Sequence, residues 1–144
     1  MNMNSTLTKT ALLLLILAAL NSCDEHVDYT HDGLDFDIDQ DLKSALEQNR
    51  MPQLAVRLNC TGCHELQRKI VGPAWKQVGT RYQNSAIFEY QGKSYPLTEG
   101  LVQKISHGGG GHWGQREMPA IDPTGAKHVQ IEKLVHFILE SGKR

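Results

Sequence analysis

The segment Cys60-Thr61-Gly62-Cys63-His64 decides how the rest of this 144-residue chain is read. Two cysteines separated by two residues and followed at once by a histidine form a known attachment pattern. Both thiols add across the vinyl groups of a haem, and the adjacent imidazole ligates its iron. Two other chemistries use a Cys-x-x-Cys pair. A redox dithiol leaves His64 without a purpose and lacks the strand and helix expected around a thioredoxin-like motif. A zinc site needs further cysteines or a spaced histidine pair, and none follows at that spacing. One motif of this kind implies one haem c, held through Cys60 and Cys63.

On the N-terminal side the remaining cysteine finds a separate use. Lys9 precedes an apolar run from Ala11 to Leu20, about half the length a helix needs to cross a bilayer, which describes a secretory signal. The run ends in Leu20-Asn21-Ser22-Cys23, which resembles a lipobox. Residues 1–22 then form a lipoprotein signal peptide, and Cys23 becomes the acylated first mature residue. The alternative is ordinary cleavage nearby with Cys23 left as a spare thiol. Asp24 resembles a signal that retains some bacterial lipoproteins in the inner membrane. Nine acids between Asp24 and Glu47 face Lys43 alone, so residues 23–49 read as a self-repelling acidic tether, with a short helix near Asp41–Gln48 as the variant reading.

From Arg50 onward the balance reverses, with thirteen lysines and arginines against seven acids. A near-neutral whole therefore hides a basic domain, residues 50–144, in which one small core has room and a second catalytic domain does not. The charge suggests redox partner proteins with acidic docking surfaces; the rival reading is a merely solvated surface. No nucleic-acid partner is expected. Helical spacing recurs in Leu54 and Leu58, in Trp75, Val78 and Tyr82, and in Leu97, Leu101 and Ile105. It is clearest in Ile131, Leu134, Val135 and Ile138. These stripes predict an all-α fold whose small core is completed by the cofactor.

The run His107-Gly108-Gly109-Gly110-Gly111-His112-Trp113-Gly114, ahead of Met118-Pro119, reads as a loop wrapped against a haem edge. A phosphate-cradling loop would want a Lys-Ser/Thr pair entering a helix. The iron also needs a sixth ligand. Met1 and Met3 lie in the leader and Met51 on the approach to Cys60, which leaves Met118, with His107, His112, His128 and His136 as rivals.

Three segments together resemble the short bacterial class I cytochromes c: Cys60 to His64; Val71-Gly72-Pro73-Ala74-Trp75-Lys76-Gln77-Val78; and Lys104-Ile105 through Gly111-His112-Trp113-Gly114 to Met118-Pro119. The likeness covers nearly everything after Pro52 and implies a cytochrome c fold with His64 and Met118 as axial ligands. It further implies that the Pro73 carbonyl accepts a hydrogen bond from the second nitrogen of His64, and that Trp113 and Lys104 hold a haem propionate. The implied activity is one-electron transfer between respiratory partners, not enzymatic catalysis. It takes place on the periplasmic side of the inner membrane, between a quinol-oxidising complex and a terminal oxidase, peroxidase or nitrite reductase. Alternatives are a fixed haem subunit of a larger complex and, from another class, a haem sensor or peroxidase-like enzyme with an open iron site. The chain departs from the short pattern between Tyr82 and Leu97. There Ile87 to Pro96 reads as a small hairpin turning at Gln91-Gly92, either a cover over an exposed edge or a partner contact.

Overall fold

The structure, a computed structural model, describes Phe36–Arg144. The expected signal peptide, the lipidation site Cys23 and tether residues 24–35 lie outside the described residues. Among the described residues no helix is long and apolar enough to cross a membrane.

Asp37 begins the first helix, α1 (Ile38–Glu47), by accepting a hydrogen bond from the Gln40 amide at 3.0 Å, as a good N-cap does. Leu42 and Ala45 on one face are buried, and α1 packs on the next helix and on the C-terminal helix. Its acids are put to use: the Asp41 carboxylate accepts from the amides of Gln53 and Leu54, both at 3.0 Å, and so caps α2 (Gln53–Arg57). This corrects the tether boundary. Residues 36–49 belong to the compact unit, because carboxylates spent on helix caps do not drive the chain into an extended coil.

Further on come a 3-10 turn at Cys60–Gly62 and the helices α3 (Trp75–Tyr82), α4 (Leu97–His107) and α5 (His128–Ser141). Their stripes meet in the core, where Ile131, Leu134 and Val135 of α5 are almost fully buried, each contributing about 1.5–3 kcal/mol of hydrophobic stabilisation. Trp75 meets Phe137 edge-on, with ring centroids 5.9 Å apart. The crossing of α3 and α5 is made at two glycines. A Cβ on Gly79 would strike the Ile138 carbonyl oxygen, and one on Gly142 the Thr80 amide nitrogen.

The all-α expectation is overturned by two small antiparallel sheets. β1 (Ile87–Tyr90) pairs with β2 (Lys93–Pro96) from Ile87–Pro96 to Tyr90–Lys93. Gln91 and Gly92 both turn with positive φ, 49° and 74°, the conformation a two-residue hairpin loop favours. Phe88 and Tyr90 point inward while Ile87 and Glu89 face out, as strand alternation dictates. The second sheet joins β3 (Gly109–Gly111) to β4 (Gly114–Met118), with Gly109 opposite Met118. Its glycines carry no side chains from which a period could be read, and their positive φ angles allow a tight ribbon where helical spacing lapses.

Candidate functional site

The chain leaves α2 through Asn59 in the left-handed conformation, φ 57°, which Asn tolerates better than most residues. Cys60 opens the 3-10 turn and Cys63 follows its end, and both line one cavity. The Cys60 carbonyl accepts from the amides of Cys63 and His64, at 3.1 and 2.9 Å. Both cysteines are free thiols, Cys60 buried and Cys63 partly so. Burial, reinforced by Cys63 beside it, pushes the Cys60 thiol up to about 11.

His64 is held by one nitrogen. Its Nδ1 lies 2.8 Å from the Pro73 carbonyl oxygen, which can only accept, so Nδ1 carries the proton and Nε2 keeps its lone pair. Burial lowers the imidazole pKa, partly offset by that hydrogen bond, and the ring therefore favours the neutral, ligating form. Gly72 lies against it: a Cβ there would collide with Cε1 and stand 2.7 Å from Nε2. Gly72→Ala is expected to break the Pro73 contact or push the ring aside, lowering stability by about 1–3 kcal/mol, measurable as a fall in the thermal midpoint.

Cys60, Cys63, His64 and Pro73 line one cavity together with Met118, Trp113 and Lys104. Every site residue expected in the described part of the chain is thus brought to one place. The remaining wall is largely apolar, supplied by residues such as Val71, Leu101, Ile105, Leu134 and Ile138. Trp113 is partly exposed, with the Arg81 guanidinium 4.6 Å from its ring centre. Lys104 donates to the Gly108 carbonyl at 3.1 Å and also to that of Gly109. Its ammonium is therefore engaged with the glycine loop. Burial lowers the Lys104 pKa, with Glu117 opposing that shift.

Of the rival histidines only His112 lines the cavity. Its Nε2 donates to the Glu89 carbonyl at 2.7 Å, and its buried Nδ1 has no protein partner. Sequence reasoning missed this contact and the part taken by Phe88, which also lines the cavity. The alternation of Phe88 and Tyr90 signalled a buried strand face, but not what it faces.

These residues fit a covalently attached haem. Two free thiols share one turn, an imidazole is oriented by its far nitrogen, a thioether and apolar walls complete the chamber, and an orphaned polar atom belongs to the same lining.

Comparisons with known proteins agree with this fit. The family model described as Cytochrome c matches residues 50–142. The chain is 39% identical over 86 residues to cytochrome c-551 of Allochromatium vinosum, which covers 60% of this chain and 80% of that one. It is 32% identical over 83 residues to cytochrome c-552 of Hydrogenobacter thermophilus, covering 58% and 76%. Among solved structures, wild-type cytochrome c552 of Nitrosomonas europaea superposes with a TM-score of 0.51 at 29% identity, covering 62% of this chain and 96% of that one.

Proposed function

We propose, because this chain belongs to the cytochrome c family, that His64 and Met118 are the axial ligands of its haem iron and that it shuttles electrons between periplasmic respiratory partners. Family membership makes the chain a monohaem electron carrier with haem c joined covalently to Cys60 and Cys63. The observation that carries the ligand assignment is the shared cavity. His64, whose Nδ1 is committed to Pro73, and Met118 line the same chamber as both cysteines.

Bound haem supplies a one-electron iron couple. His64 contributes the Nε2 lone pair in an orientation set by the Pro73 carbonyl. Met118 contributes a soft thioether, which favours reduced iron and raises the potential. With His64 and Met118 both holding the iron, no position on it would be left for a substrate. The apolar walls would exclude water, and Trp113 and Lys104, which line the same cavity, would hold a haem propionate.

The partner reading rests on charge around the cavity. The compact unit from Phe36 carries fourteen lysines and arginines against eleven acids, a smaller excess than that of residues 50–144 alone. Lys69, Lys104 and Arg116 nevertheless line the cavity with Glu117 as their sole acidic counterpart. An acidic partner surface would be steered to that mouth. Acylation of Cys23 would anchor the domain to the outer face of the inner membrane, with residues 23–35 allowing a reach of at most about 45 Å. Cys23→Ser is then expected to move the protein from the membrane to the soluble periplasmic fraction with an unchanged spectrum, as read by fractionation and absorbance.

The decisive test is the absorption spectrum of protein matured with haem in a bacterial periplasm, oxidised and then reduced. A sharp reduced c-type spectrum, a weak long-wavelength iron–sulfur band in the oxidised form, and indifference to carbon monoxide are expected. Ready carbon monoxide binding without that band would replace the carrier reading with a sensor or peroxidase-like one.

A further inference from the structure

The inserted hairpin is stitched to the glycine ribbon more precisely than a cover requires. Tyr90, buried on the inner face of β1, donates its hydroxyl to the Gly108 carbonyl at 3.1 Å and accepts from Gln91 Nε2 at 3.0 Å. One strand position earlier, the Glu89 carbonyl accepts from His112 Nε2 at 2.7 Å. At the next position back, Phe88 stacks on the His112 ring, centroids 4.5 Å apart and planes 11° from parallel. Burial of apolar surface alone would need no directed bond. Here two hydrogen bonds and a stacked pair join β1 to the segment 108–112.

What that segment supports is Met118. Gly109 pairs with Met118 across the ribbon. The backbone at Gly108 lies so close that a Cβ there would strike the Met118 carbonyl oxygen and stand 2.8 Å from the Ala120 amide nitrogen. The hairpin in turn sits on α4, where a Cβ on Gly100 would stand 2.7 Å from Phe88 Cβ. A close-packed path therefore runs from helix α4 through the hairpin and the ribbon to the residue at the end of β4.

We propose that the β1–β2 hairpin is a positioning clasp for the Met118 segment, with Tyr90 and His112 as the positioning residues that hold it. The inference rests on Met118 being an axial ligand. On that basis, loosening either bond widens the positions open to the thioether and weakens its hold on iron against a competing ligand.

The test uses the haem-loaded protein and added imidazole as the competitor, following loss of the iron–sulfur band in the oxidised form. Tyr90→Phe removes one hydroxyl, and His112→Phe keeps the stacked ring but deletes the donor. Each is expected to tighten apparent imidazole binding about tenfold, the scale of one lost buried hydrogen bond. Ile131→Val, a core change in α5 away from the cavity lining, lowers stability modestly and serves as the matched control, expected to leave imidazole binding unchanged. If both hairpin variants behave like Ile131→Val while the wild type shows the band, the clasp is refuted and the ligand assignment stands. If the wild type shows no band, both fall together.

Discussion

Met118→Ala is expected to erase the long-wavelength iron–sulfur band, admit carbon monoxide to the reduced protein, and lower the midpoint potential by on the order of 0.2 V. That shift is a fraction of the span of about 0.8 V that axial ligands command in haem proteins. The direction follows from ligand softness. A thioether stabilises reduced iron, and water or a harder ligand taking its place stabilises the oxidised form. Cys60, Cys63 and His64 sit on a different part of the chain from Met118, across the cavity lining, so covalent attachment should survive and the reduced spectrum should keep its c-type character. Potentiometric titration of both proteins decides the matter. An unchanged band and potential in the variant would remove Met118 from the iron.

The second large effect concerns stability. Gly79→Ala is expected to lower the thermal midpoint by about 10 °C. The added methyl meets backbone, not a side chain that can swing away: the Ile138 carbonyl oxygen directly and the Gly142 amide nitrogen at 2.7 Å. Helices α3 and α5 must separate to admit it. Overpacking of this kind costs about 2–3 kcal/mol, more than the gain of about 1 kcal/mol from replacing a helical glycine with alanine, and for a domain of this size the balance corresponds to a shift of that order. Since α5 also supplies Leu134, Val135 and Ile138 to the cavity wall, the variant should lose haem-loaded yield as well. A control substitution on the exposed face, Val129→Ala, should leave the midpoint within about 2 °C. Calorimetry of the three proteins makes the comparison.

The parts of the molecule legible in the sequence are those in which side chains carry the signal. Cys60, Cys63 and His64 announce their chemistry by type and spacing, and the stripes of α3, α4 and α5 announce buried faces by period. The hairpin was legible through the alternation of Phe88 and Tyr90 and through Gln91-Gly92 at its turn. The β3–β4 ribbon was not, because glycine has neither period nor propensity to read. The close contact of Gly79 with Gly142 depends on two helices meeting 63 positions apart in the chain, which no local pattern encodes. Helix α1 was weighed only as a variant reading over residues 41–48, because its charge pointed to a tether. Asp37 and Asp41 look like solvent-seeking acids until the amides of Gln40, Gln53 and Leu54 are found bonded to them. His112 was weighed only as an iron ligand, whereas its position is determined by a carbonyl contributed from the inserted strand.

The burial that raises the Cys60 thiol to about 11 also bears on the order of events in the life of the chain. At neutral pH a thiol with that pKa is ionised in only about one molecule in ten thousand, roughly a hundredfold less than an ordinary cysteine. Disulfide formation and exchange proceed through the thiolate. A folded chain not yet carrying its cofactor would thus be slow to close a bond between Cys60 and Cys63, even under oxidising conditions. Burial of Cys60 would in this way slow the loss of that sulfur to a disulfide.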